Sequence, residues 1–227
     1  MSHVISERVH GRGALADAYF CQRYAVLFYT LLFTMVASPL VAVLDLSGTL
    51  IDLFLGANLL AAALPVNAGL HRRLFLAAII LGWLARSVTA WFDNPIIAAW
   101  TLGFWTLIGL SAAANALRFA MRARQVDSEH VYAALSAYLL VGVFFGLFYW
   151  VIEDIVPGTF NASAGFSRMS AIYFSFVTLA TLGYGDIVPR TDVARGLAIL
   201  EGVGGQLFLA VLVARLLSLY STRPRID

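Results

Sequence analysis

Residues 178–189 read TLATLGYGDIVP, and the short apolar run MSAIYFSFV at 169–177 leads into them. Gly183 and Gly185 flank Tyr184, Thr181 stands two residues before the first glycine, and Asp186 follows the second. What this stretch does depends on whether the chain lies in water or in lipid. Hydrophobic residues make up 61% of the sequence and charged residues 12%. A soluble domain is about 45–50% apolar and about 25% charged, so the balance is that of a membrane protein.

A spanning helix needs about 20 mostly apolar residues. The sequence offers six such blocks, near 23–44, 49–67, 74–92, 95–116, 132–152 and 193–220. A seventh run, 169–180, is about 12 residues, or roughly 18 Å as a helix, too short to span. It is either a core helix or a re-entrant one. The expected fold is therefore all-α: six transmembrane helices, a half-length helix and the loop after it. The expected division is an N-terminal cytoplasmic segment 1–22, a four-helix domain 23–117, a linker 118–131, a pore-like unit 132–220 and a tail 221–227. No removable signal peptide is read in the N-terminal residues.

All fifteen basic residues are arginine. With the N-terminus in the cytoplasm, Arg8, Arg12, Arg23, Arg72, Arg73, Arg118, Arg122, Arg124, Arg215, Arg223 and Arg225 fall inside, against Arg168, Arg190 and Arg195 outside. That bias places both termini in the cytoplasm and brings the TLGYGD loop in from outside. Arg86 lies within the third block, where Asp45 or Asp52 can pair with it. A net charge of +2 and a single cysteine, Cys21, point to neither nucleic acid nor disulfides. His3, His10, His71 and His130 form no metal spacing, which argues against a metalloenzyme.

Irregular backbone at membrane depth survives only where protein buries it or where it lines water. A loop returning from a half-length helix fits that exception, and its carbonyls need partners that dehydrated cations can supply. Glycines at 183 and 185 tolerate backbone angles that other residues resist. Tyr184 can wedge the loop against its short helix. The helix C-terminus, partly negative, favours a cation beneath it.

TLGYGD, Thr181–Asp186, resembles the signature of potassium channels, and the resemblance covers the pore unit from about Tyr132 to Tyr220. It implies a homotetramer in the bilayer, in the plasma membrane or the inner membrane of a bacterium, with potassium as permeant ion and no cofactor. It implies that the carbonyls of Thr181, Leu182, Gly183 and Tyr184, with the Thr181 hydroxyl, hold potassium, and that Gly185 permits the outer turn. Leu182 replaces the valine of many members. Tyr173, Val177, Thr178 and Asp186 are the expected filter supports. Tyr173 and Phe174 stand where many relatives have two tryptophans, and Phe174 has no donor. Val177 is apolar where some relatives carry a glutamate, so any bond that holds Asp186 comes from elsewhere, Tyr173 being one source.

In the last helix, Gly202, Gly204 and Gly205 are candidates for a gating hinge, with close packing in lipid as the other reading. Gln206, Leu209 and Val213 share one face and are candidates to line a cavity. Glu201, an acid inside a spanning helix, is costly there and implies a partner. The fourth block carries no charge, so strong voltage sensing is not expected. The leading function is a passive potassium-selective channel rather than an enzyme. The alternatives are a non-conducting regulatory subunit, a weakly selective cation channel or a subunit of an ion-coupled transporter.

Overall fold

Each long apolar block becomes a helix. The structure, a computed structural model, describes residues 22–43, 48–63, 70–89, 95–122, 127–163 and 165–221. The expectations for residues 1–21, including Cys21, for the 222–227 tail, and for the pairing of Arg86 with Asp45 or Asp52 fall outside the described residues and side chains.

Helices α1 (Arg23–Val43), α2 (Gly48–Ala63), α3 (Leu70–Thr89) and α4 (Pro95–Met121) precede α5 (Ser128–Ile155). Strand β1 (Phe160–Ala162), the half-helix α6 (Arg168–Leu179), strand β2 (Ile187–Pro189) and the long α7 (Asp192–Ser221) complete the order. Among the described residues, Trp100–Met121, Ser128–Ile155 and Asp192–Arg215 are long and apolar enough to cross a membrane. The chain is thus a largely helical membrane protein.

Two expected boundaries move. Residues 118–121 belong to α4 and not to the linker, with Arg118 in the last turn where a cation meets the negative end of the helix dipole. Helix α5 starts at Ser128, four residues early, because the Asp127 side chain caps it by accepting from the His130 amide at 3.0 Å. The all-α expectation also missed a small sheet: β1 and β2 pair antiparallel, with Asn161 opposite Val188. Backbone leaving the TLGYGD loop cannot continue a helix, so its polar groups find partners in the segment that follows α5.

The core runs through α1–α5, where Leu31, Leu59 and Phe144 are fully buried. Glycines let backbones close in: a Cβ on Gly109 of α4 would meet the Phe144 ring of α5 at 2.2 Å. The same device seats the half-helix. A Cβ on Gly146 would lie 2.5 Å from the Ile172 Cα, and one on Gly142 would lie 2.4 Å from the Phe176 ring. Small residues four apart on α5 therefore make the bed on which α6 lies.

Candidate functional site

The half-helix is fixed at both ends. At its start, Ser167 Oγ accepts from the Ser170 amide at 3.1 Å, and Ser170 Oγ accepts from the Ser167 amide at 3.3 Å, a reciprocal cap. At its end the loop bonds back to the helix. The amide of Thr181 donates to Thr178 O at 3.0 Å, and those of Leu182 and Gly183 donate to Val177 O at 2.9 and 3.4 Å.

These bonds orient the peptides. In a trans peptide, the amide N–H of one residue and the carbonyl of the residue before it point in opposite directions. With the Leu182 and Gly183 amides aimed at the half-helix, the carbonyls of Thr181 and Leu182 face away from it. The backbone alternates to suit. Thr181, Gly183 and Gly185 have φ of 55°, 60° and 78°, and Thr181 is the one non-glycine with positive φ among the described residues. Such alternation turns successive carbonyls to one side, and glycine makes it affordable at 183 and 185. Nothing lies within 4 Å of where a Cβ would stand on either glycine. Residues 181–186 are all exposed on the single subunit.

Behind the loop, the rings of Tyr173 and Tyr184 stack with centroids 6.5 Å apart. The Tyr173 hydroxyl donates to Asp186 Oδ2 at 2.9 Å. Phe174 packs edge-on against Tyr149 at 5.1 Å and Phe160 at 5.3 Å. An aromatic cluster thus braces the half-helix by area and ring geometry, without a hydrogen bond from Phe174. Val177 is also buried.

Helix α7 packs along α6 in register. Glu201 is buried and accepts from the Tyr149 hydroxyl at 2.7 Å. It also meets Ser175 Oγ in a short hydrogen bond. Beside it, a Cβ on Gly202 would sit 3.6 Å from Thr178 O, and about one turn on, one on Gly205 would sit only 2.8 Å from Leu179 O. Gly204 has nothing within 4 Å. Of the three glycines proposed for bending, Gly205 is thus the one pressed against the half-helix. Gln206 reaches the loop: its Nε2 donates to Thr181 Oγ1 at 3.4 Å. Leu209 and Val213 are exposed farther along α7.

Sequence reasoning missed Tyr149, Ser175, Phe160 and the Gly142–Gly146 bed. The spacing of the two glycines in GVFFG was a usable signal, as was each hydroxyl set in an apolar run.

The Thr181 and Leu182 carbonyls thus turn away from the half-helix, a feature shared with loops that line ion pathways. In agreement, residues 134–222 match the family described as Ion channel. The chain is 38% identical over 91 residues to two pore potassium channel c of Oryza sativa subsp. japonica, covering 39% of this chain and 18% of that protein. It is 39% identical over 87 residues to the inward rectifier potassium channel Kirbac3.1 of Paramagnetospirillum magnetotacticum, covering 38% and 28%. It is 32% identical over 132 residues to the voltage-gated potassium channel Kch of Escherichia coli K12, covering 53% and 30%. The chain thus spans less than a third of the length of each of these relatives. No solved structure matches. These likenesses support kinship of the region 134–222 with the potassium channel family.

Proposed function

We propose that the chain is the subunit of a homotetrameric, potassium-selective channel of six transmembrane helices, set in the plasma membrane or a bacterial inner membrane with both termini cytoplasmic. The observation that carries this reading is the loop 181–185. The amides of Thr181, Leu182 and Gly183 bond back to the half-helix, and φ is positive at 181, 183 and 185. In this reading the carbonyls of Thr181, Leu182, Gly183 and Tyr184 ring an axis. One subunit supplies one such row, and a dehydrated ion needs several, hence four copies. The Thr181 hydroxyl forms the inner end of the row. Gln206, Leu209 and Val213 line the cavity below, and α7 bends near Gly202, Gly204 and Gly205 to close it.

Voltage dependence is weak in this account. A gating charge that crosses the whole field is worth about 2.3 kcal/mol per 100 mV, so steep gating needs several per subunit. Helix α4 has only Arg118, in its last turn. Purified protein in liposomes under a potassium gradient, with its mass measured after cross-linking, tests the reading. Potassium flux from a four-copy particle supports it, and a monomer or a flux-silent tetramer contradicts it.

A further inference from the structure

Ser175, Glu201 and Tyr149 form a buried polar cluster between α5, α6 and α7. Ser175 Oγ lies 2.7 Å from the carbonyl of Gly142 on α5 and within a short hydrogen bond of a Glu201 carboxyl oxygen on α7. The other oxygen of that carboxyl accepts from the Tyr149 hydroxyl. All three side chains are buried. A serine hydroxyl has one proton, and a backbone carbonyl only accepts. If Ser175 donates to Gly142, it has nothing left to give Glu201, and an ionised carboxylate has nothing to give Ser175. Two oxygens would then face each other at contact distance with no hydrogen between them. A proton on Glu201 resolves this. The chain then runs in one direction, from Tyr149 O–H to one carboxyl oxygen, from the other carboxyl O–H to Ser175 Oγ, and from Ser175 O–H to Gly142 O.

The surroundings agree with a neutral group. Tyr149 and, farther off, Tyr138 are the titratable groups that face Glu201 from α5, and Ser175 faces it from α6. Among the described residues no arginine pairs with Glu201, and a carboxylate away from water without a counter-charge is costly. We propose that Glu201 is a neutral carboxylic acid and a positioning residue, which ties the inner helix α7 to the back of the half-helix α6 and so holds the filter in its conducting geometry. The place of the tie supports this. Ser175 is two residues before Val177, whose carbonyl receives the Leu182 and Gly183 amides. A shift of α6 at Ser175 is therefore transmitted to the peptides that aim the carbonyls. The role rests on the channel reading above, whereas the protonation state does not.

Two measurements on the full chain test it. Infrared difference spectroscopy of the wild-type protein in detergent at neutral pH, against Glu201→Gln, reads the protonation state without any flux. The expected result is a protonated carboxylic acid C=O band that shifts in heavy water and is missing in Glu201→Gln. The absence of such a band overturns the proposal even if the channel conducts. In liposomes, Glu201→Gln offers an amide N–H to Ser175 and a carbonyl to Tyr149, so it keeps the potassium-to-sodium flux ratio. Glu201→Leu breaks the chain, and its ratio falls at least about fivefold, as loss of a buried hydrogen-bonding partner implies. A Glu201→Gln tetramer that has lost selectivity, or a Glu201→Leu tetramer that keeps it, overturns the positioning role. Wild-type liposomes with no flux contradict the channel reading and leave the infrared result to stand alone.

Discussion

Buried polar side chains behave differently in the two halves of the molecule. In α1–α4 they close locally: Thr34 donates to the Thr30 carbonyl and Thr106 to the Gly103 carbonyl, each within one turn of its own helix. Between helices, Asn58 of α2 donates to the Thr34 hydroxyl of α1 at 2.8 Å. In α5–α7 they join distant elements: Tyr149 to Glu201 across 52 residues, and Ser175 to Gly142 across 33. A hydroxyl that donates to its own helix adds little net stability. One that bridges three helices fixes their relative positions. Among the described residues, α1–α4 therefore rely mainly on apolar area, which tolerates sliding, while α5–α7 add directional bonds between helices, which do not.

That contrast predicts where substitutions hurt. The largest effect belongs to Gly185→Ala, since φ of 78° is a conformation that side chains rarely adopt. Selective potassium flux in liposomes is abolished, and the tetramer still elutes intact. Gly103→Ala, whose nearest neighbour would be 4.0 Å from the new Cβ, leaves flux unchanged. Equal damage from the two glycines would break the comparison.

Gly205→Ala comes next. Its Cβ would crowd the Leu179 carbonyl at 2.8 Å, so α6 or α7 must shift, at a cost of about 1–3 kcal/mol per subunit. Flux falls strongly, while Gly204→Ala, with open space in its subunit, lowers it less. If Gly204→Ala is the more damaging in paired flux assays, bending at Gly204 outweighs packing at Gly205.

Tyr173→Phe removes the hydroxyl that holds Asp186 and keeps the stack on Tyr184. One such bond is worth about 0.5–1.5 kcal/mol. The expected change is a potassium current that decays faster during sustained opening, with single-channel conductance preserved.

Asp127→Ala removes the cap of α5 and lowers stability by about 0.5–2 kcal/mol, as a drop in melting temperature reads out. Slight burial opposes ionisation of Asp127, but the His130 amide and ring hold the carboxyl below its usual range. A depressed value stabilises the fold above the ordinary carboxylate pKa and loses that contribution as pH falls through the folded value. The gap between wild type and Asp127→Ala therefore narrows in acid.

The smallest effect is expected in the four-helix half. Arg118→Gln leaves the slope of the conductance–voltage curve unchanged. A flattened slope would show that α4 moves charge after all.

The helices were legible because lipid demands long apolar runs, and each block produced one. The backbone of the loop was legible because TLGYGD sets glycines at 183 and 185, where φ is positive. The start of α5 was misplaced because capping by Asp127 is a side-chain event four residues outside the apolar block. The β1–β2 pair was invisible because three-residue strands have no period to detect. Glu201 announced the need for a partner, but nothing in the sequence said that it would be Tyr149 and Ser175. Those contacts depend on how closely Gly142 and Gly146 let α6 approach.

The most direct test of the central claim is the reversal potential of the purified wild-type protein in a planar bilayer, with potassium on one side and sodium at equal concentration on the other. A selective filter built on residues 181–185 predicts a potential far from zero, of the sign that marks potassium as the permeant ion, and its collapse in Gly185→Ala. A wild-type reversal potential at zero would contradict the account.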